Sequence, residues 1–450
     1  MSFNRLVGSG MENIANSFDI RSADGEDGDF GRVIRNSPSL RVSVRNEGDV
    51  FDVFSSAVAA GQKVTIQGTG HSCGGQSLSS NGIQVINRID GAGVEWISSE
   101  EIEIPSGLKW KEVERILMRR GLSVPITPDA LELSVGGTLS VGGYGMDSIL
   151  LGGQIDHVTG LALCAPDGNK YWCTPNENVD LFRFALAGLG QLGMVTSVRM
   201  RVVPLHRGII RWRYQCSSLV ETVASMRWLD DALVVPPLFR AIAQPPGFPG
   251  RCEIIYGFPS EVDGSLDDHR WLSESVGLPD VIDEIEGPRF IDDQDVTRWV
   301  SSFGPTWRLW ADYGFAYPDF LTFCTEIERL WTQGEFGEAL SCVYPSVLAP
   351  SKHGRDFFPF DLRSRSSSRT FTCGLYCMIP FGNTKALAKT LQVLERCAAF
   401  AKSLGGRPYV YGWYRIDGNP ALFDFFPNDV IRTLGRLRRR VDPHDVLKCG

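Results

Sequence analysis

The 450-residue chain lacks any run close to the roughly 18 apolar residues of a membrane span. Its opening stretch, MSFNRLVGSGMENIANSFDI, holds no apolar core of signal-peptide length. A cytosolic protein without a membrane partner is therefore expected. Histidine is scarce, with six in all and none in a His-x-x-x-His or similar spacing, so no metal site is expected. No GK[ST] occurs in the glycine-rich segments, which argues against a Walker-type nucleotide triphosphatase. Positive charge is also short: 45 Lys and Arg stand against 53 Asp and Glu, a formal net charge of −8. That balance disfavours nucleic acid and anionic membrane as partners. The basic run RLRRR, Arg436–Arg440, falls in a predicted helix and reads as a solvated face. The eleven cysteines are odd in number and irregular in spacing, as reduced thiols are. Cys373 and Cys377 in CGLYC have no second pair to complete a metal site and read as buried thiols.

What is present is ordinary folded-protein composition, 43% hydrophobic and 22% charged, in a length that suits two or three domains or one large two-part fold. Residues 1–36 are polar and rich in glycine and aspartate, and read as a loose arm. Order begins with a strand at SLRVSVRN. EGDVFDVFSSAVAAG follows as an amphipathic helix with Val50, Phe51, Phe54 and Val58 on one face and Gly61 at its end. QKVTIQG is the next strand, with Val64 and Ile66 inward. Further on come a strand at GIQVINR, two in VEWISSEEIEIP, and a helix at KWKEVERILMRRGL with Trp110, Val113, Ile116 and Leu117 apolar. A glycine-rich segment spans Glu132–His157. A hairpin runs from Val158 through the turn Pro166-Asp167-Gly168, then a helix at DLFRFALAGLGQLG and a long strand at MVTSVRMRVVP. Residues 207–410 change character. Strands (GIIRWRYQC, RCEIIYGFP, TFTCGLYCMIP) alternate with helices (residues 219–234, FLTFCTEIERLWTQG, KALAKTLQVLERCAAFAKSLG), and aromatics are dense, as at Trp299, Phe303, Trp307, Trp310 and Phe315.

Three glycine clusters carry the chemistry. GLGQLG, Gly188–Gly193, matches a dinucleotide fingerprint literally but follows a helix and precedes a strand, the reverse of the order that seats a pyrophosphate on a helix N-terminus. GTGHSCGG, Gly68–Gly75, admits three roles: a phosphate loop, a reactive Cys73, or an anchor at His71. A cysteine nucleophile needs a base and an orienting group, and only His71 lies near it in sequence. That leaves His71 as an anchor or hydrogen-bond donor to a ligand held by the glycines. Gly68–Gly75 and the second cluster, Gly136–Gly145, each read equally well as tight turns or as nests of inward N–H groups for one diphosphate.

The order strand–GTGHS–strands–helix–PDALELSVGGTLS–hairpin–DLF-x5-GLGQLGMVT–long strand resembles the FAD domain of vanillyl-alcohol-oxidase (PCMH) type flavoproteins. Within that group it is most similar to cytokinin dehydrogenases. The resemblance covers Ser37–Pro204 and returns at RRRVDPHDVL. It implies an α+β fold: a two-lobed FAD-binding domain over 37–206 with a C-terminal return at 416–450, and a sheet-and-helix substrate or cap domain over 207–415. It places His71 as a covalent anchor for the flavin. Gly68, Thr69 and Gly70 fall on the diphosphate turn, and Ser72 and Gln76 along the flavin. Ser134, Gly136, Gly137, Thr138, Ser140 and Tyr144 fall on cofactor contacts from the second loop, and Val195 on a backbone contact. Asp129 takes the position of the proton-accepting aspartate. No cysteine stands in SVGGYGMDSILLGG, so a single covalent link is implied. CEIIYGFP has Tyr256 where the plant enzymes carry a glutamate, and LKCG replaces their Leu-x-Pro-Gly-Gln. The implied function is FAD-dependent oxidation of a C–N or C–OH carbon in a small aromatic or apolar metabolite, as in bacterial secondary metabolism, with oxygen or another electron acceptor. Trp307 or Trp310 would shape the pocket. Genuine cytokinin cleavage and a non-redox flavin role are the alternatives, and the oligomeric state stays open.

Overall fold

The computed structural model describes residues 28–35, 37–206, 208–231, 235–244, 252–259, 282–286, 299–351, 362, 369–416, 419–420 and 422–448; residues 1–27 of the expected arm lie outside them. The opening strand–helix–strand is found as Leu40–Val44, Glu47–Ala60 and Val64–Gln67. Asn46 caps the helix, its Oδ1 accepting from the Asp49 N–H at 3.0 Å, which satisfies one donor of the first turn. Gly61 ends it with φ 59°, a left-handed conformation open to glycine at little cost. The buried face is Val50, Val53, Phe54 and Ala57. Phe51 and Val58 stand at its margin, a small rotation from the expected stripe. The two strands flank Ile83–Asn87 in a parallel three-stranded sheet. Both faces of that sheet are covered, so no simple alternation survives in Val64–Gln67. Thr65 and Gln67 are buried with Val64, and Ile66 is only half-buried.

A second, antiparallel sheet has the order Glu95–Trp96, Glu101–Pro105, Met194–Arg201, Val158–Cys164, Lys170–Cys173. The predicted hairpin and long strand are thus neighbours. Trp110 of the helix Trp110–Met118 and Phe182 of the helix Val179–Ala185 are buried in one cluster with Leu161. The helix-then-strand order around GLGQLG is as expected. The segment Glu132–His157, which shows only glycines to the eye, contains short helices at Val135–Leu139 and Ser148–Leu151 and a 3₁₀ turn at Gln154–His157.

The third sheet has eight strands, ordered Ile282–Glu286, Gly208–Cys216, Cys252–Pro259, Leu238–Ala243, Leu340–Leu348, Thr370–Pro380, Thr306–Phe315, Arg407–Pro408. Leu238–Ala243, Thr306–Phe315 and Leu340–Leu348 were not foreseen as strands, and the helix expected over 219–234 breaks into Leu219–Ala224 and Trp228–Asp231. One face of the sheet packs against helices Tyr317–Thr332 and Thr384–Ser403 through Trp212, Trp307, Leu309, Tyr313, Phe323 and Leu391. Cys373 and Cys377 lie on this face, fully buried. The opposite face, period two away, looks toward the glycine loops. Among the described residues no helix is long and apolar enough to cross a membrane.

The chain then returns. Helix Asn428–Val441 adds Leu434, Leu437 and Val441 to the second sheet's core. Val446 and Leu447 enter the core of the first, with the Val64 N–H donating to Val446 O at 2.8 Å and the Lys448 N–H to Val64 O at 2.9 Å. Asp442, buried, fixes this turn by accepting from the backbone N–H groups of Val446 (2.8 Å) and Leu447 (2.9 Å). Each charge-assisted bond of this kind contributes about 1.5–3 kcal/mol. Asp442→Ala should therefore lower the urea unfolding free energy by about 3–6 kcal/mol; a loss under about 0.5 kcal/mol, the range of an ordinary surface substitution, would show that the turn holds itself.

Candidate active site and cofactor cradle

Strand Val64–Gln67 runs directly into Gly68. A Cβ on Gly68 would collide with Ser134 Oγ, so the bare backbone of the first loop lies on the residue that opens helix Val135–Leu139. Ser134 Oγ is buried and has no hydrogen-bond partner among the described residues. A Cβ on Gly137 would stand 2.8 Å from the same oxygen. Between these loops and the free face of the eight-stranded sheet lies a cavity of about 450 Å³, in the usual size range for a small-ligand site. Asp129 and every cofactor-contacting residue expected from the sequence line it. Gly68, Thr69, Gly70, His71, Ser72 and Gln76 come from the first loop. Ser134, Gly136, Gly137, Thr138, Ser140 and Tyr144 come from the second, Val195 from strand Met194–Arg201, and Asp129 from the turn before the second loop.

Several of these side chains already have protein partners. Gln76 Nε2 donates to Val410 O (3.0 Å) and Gly412 O (2.7 Å), while its Oε1 accepts from the Gly74 N–H at 3.0 Å. Ser140 Oγ donates to Gly136 O at 2.7 Å, and Thr138 Oγ1 accepts from Trp110 Nε1 at 2.8 Å. Ser72 and Ser77 hydroxyls are 3.0 Å apart. These residues shape the walls, and Ser134 is the one with an orphaned hydroxyl.

His71 is sandwiched. The Phe30 ring stacks on it at 4.0 Å, and Trp310 meets it edge-on at 6.1 Å. Burial, helped by the Arg308 charge, pulls its pKa down to about 4, so the imidazole is neutral at physiological pH. Phe30 belongs to the stretch read as loose arm. Residues 29–31 instead close over the loop. Phe30 N–H donates to Gly70 O (2.8 Å), Gly31 N–H to Ser72 O (3.2 Å), and the Gly75 N–H to the buried Asp29 carboxylate (2.8 Å). Cys73 beneath is fully buried, and burial raises its thiol well above the ordinary range, which leaves it protonated and unreactive.

The side of the cavity away from the glycine loops is acidic and aromatic. Asp129 is half-buried, and burial raises its pKa against the lowering influence of Arg240 and of the Tyr344 hydroxyl, which donates to Oδ2 at 3.1 Å. A second carboxylate, Asp312, accepts from three tyrosines: Tyr411 (2.9 Å), Tyr376 (3.1 Å) and Tyr144 (3.2 Å). Burial raises it to about 6 in spite of these bonds. Gly374, opposite Asp312 in the ladder, leaves the room: a Cβ there would be 2.5 Å from Asp312 Oδ1. Tyr376 stacks on Trp310 at 4.4 Å and faces Tyr344 at 5.9 Å, so stacked rings join the two carboxylates.

Strand periodicity sorts the other candidates. Trp310 shares the cavity face with Asp312, whereas Trp307, an odd number of residues away, is buried in the opposite core against Phe381. Tyr256 is likewise in that core, stacked on Trp212 at 5.7 Å. The acid on the cavity side of the same strand is Glu253, three residues earlier. Sequence reading missed Asp29, Phe30, Asp312 and the tyrosines 344, 376, 409 and 411. Alternation within LWADYGF and PYVYGWY was the available signal.

Residues 38–174 match the family model of the FAD binding domain. The chain carries an FAD-binding domain. It is 31% identical over 191 residues to an uncharacterized oxidoreductase, ORF5 in the fasciation locus of Rhodococcoides fascians, covering 42% of this chain and 43% of that protein. It is 33% identical over 184 residues to cytokinin dehydrogenase 1 of Oryza sativa subsp. japonica, covering 39% and 35%. With cytokinin dehydrogenase 5 of rice it shares 34% identity over 217 residues, covering 45% and 40%. The alignments thus span less than half the length of these relatives. The cradle fits FAD: the orphaned Ser134 hydroxyl and the glycines beside it offer a polar, side-chain-free bed of the kind a diphosphate needs.

Asp29 supplies a pH test of the closure over His71. Burial raises its pKa from the ordinary 3.8 to about 7. The folded state thus binds this proton more tightly than the unfolded chain, and the associated stability is complete below pH 3.8 and lost as pH rises toward about 7. Asp147, also near 7, and Asp312 act in the same direction. In Asp29→Asn, which keeps an acceptor for Gly75, the decline of the melting temperature between about pH 4 and 7 should be shallower than in the native protein. Parallel profiles would show that Asp29 does not hold its proton in the fold.

Proposed function

We propose that the protein is an FAD-linked oxidoreductase that removes a hydride from a C–N or C–OH carbon of a small aromatic metabolite. The observation that carries this reading is the convergence of both glycine loops, His71 and Asp129 on one cavity. Bound FAD supplies a hydride acceptor at N5. Gly68, Thr69, Gly70 and the Ser134–Thr138 turn hold its diphosphate. Ser72, Gln76, Ser140, Tyr144 and Val195 bound the rest of its bed. His71, neutral and therefore keeping a lone pair on one ring nitrogen, would be the residue that carries it through a single covalent link. As the C–H bond yields its hydride, Asp129 accepts the N–H or O–H proton, leaving a C=N or C=O product. Its raised pKa brings it closer to the operating pH, and the Tyr344 hydroxyl fixes its orientation. Electrons then pass to oxygen or another acceptor.

Acid precipitation tests the anchor. Yellow colour should stay with the denatured pellet of the native protein and leave with the supernatant in His71→Ala. Asp129→Asn should keep its flavin and lose about 10²- to 10⁴-fold in the rate of flavin reduction by substrate. A protein purified without flavin, and unable to take up FAD, would end this reading. Similarity to the rice cytokinin dehydrogenases favours a second one, cleavage of cytokinin, for which release of adenine from isopentenyladenine is the direct assay.

A further inference from the structure

Resting on the reading of this cavity as a metabolite site, we propose that the metabolite carries a carboxylate and that Arg240 receives it. Arg240 lies on strand Leu238–Ala243, where Phe239, Ala241 and Ala243 pack into the core and Arg240, Ile242 and then Gln244 face the cavity. Its Nε is buried and has no hydrogen-bond partner among the described residues. A guanidinium in a partly buried wall normally finds an acceptor, because leaving a charged donor unpaired there costs as much as a hydrogen bond or more. The acids on the neighbouring walls are already engaged: Glu253 Oε2 accepts from Gln215 at 3.0 Å, and Asp129 from Tyr344 at 3.1 Å. The missing partner is an anion from outside the chain.

The chemistry of the surroundings selects its kind. Arg240 acts on Asp129 through space, so an anion bound to it lies within reach of the proposed base. Two carboxylates already line this part of the cavity, and a dianion would meet strong repulsion. A monoanionic carboxylate matches the planar guanidinium fork in shape and in charge. Trp299, Trp310 and Tyr344, which also line the cavity, suit an aromatic body behind it.

The holoenzyme is titrated with benzoate and with benzamide, the same ring without the charge. Two signals are followed: the flavin absorbance and the fluorescence of the cavity tryptophans. Benzoate is expected to bind about tenfold or more tighter than benzamide. Arg240→Met should abolish that preference while benzamide affinity and melting temperature hold, and Arg240→Lys, which keeps the charge without the fork, should retain part of it. Equal affinity for the two probes, no response to benzoate, or a preference that survives in Arg240→Met would overturn the assignment. A lost preference in protein that still holds its flavin counts against Arg240 alone. A protein without flavin counts against the FAD reading, and its tryptophan signal still reports on Arg240.

Discussion

The contact on which the site depends is the approach of Gly68 to Ser134. Two loops far apart in sequence touch there because one of them has no side chain at the point of contact. That approach sets His71, on one loop, and Asp129, just before the other, on a common space. A Cβ at position 68 would force the Ser134 hydroxyl out of its place beside the space that His71 and Asp129 share. The glycines on either side then serve a second purpose, since a bed stripped of side chains lets backbone N–H groups face whatever enters.

Against this bed the eight-stranded sheet presents charge in a dry setting. Asp312 holds three tyrosine hydroxyls, Tyr344 turns a fourth to Asp129, and Arg240 stands as the nearby cation. At low effective dielectric such groups influence one another far more than in water. The tyrosine cluster keeps Asp312 partly ionised near neutrality although it is fully buried. The Asp129 charge adds to the burial that raises Asp312. Asp312 and Arg240 are thus presented by strands whose other face is solid core, and Asp129 meets them from the turn before the second loop.

Local patterns made much of this legible beforehand. The parallel unit, the hairpin and the motif-bearing loops declare themselves through short-range signals: the apolar face of Val50, Phe51, Phe54 and Val58, a glycine stop at Gly61, the turn Pro166-Asp167-Gly168. The expected site residues line one cavity because they belong to contiguous motifs. What escaped were features made by distant chain. Asp312 looks like any strand aspartate until the ladder puts Gly374 beside it and Tyr411 and Tyr144 over it. Thr306–Phe315 is buried along its whole length, so it lacks the polar alternation that marks an exposed strand. Asp29 and Phe30 sit in a stretch whose composition suggests disorder, and composition says nothing of the backbone bonds they make.

The strap over His71 bears on how the protein is made. The His71 loop is tied to residues 29–31 on one side and to Tyr411, Val410 and Gly412 on the other, while Arg308 N–H donates to Gly31 O beneath. Strand Val64–Gln67, from which the loop springs, is bonded to Val446 and Lys448 at the far end of the chain. Contacts of such long sequence separation form late in folding. On a ribosome the strand that carries the loop stays without these partners until Val446 and Lys448 have emerged. A nascent chain thus displays an open glycine loop until the segment that carries Val446 arrives. A chain that stops short of Val446 therefore lacks the contacts that fix the strand below the loop.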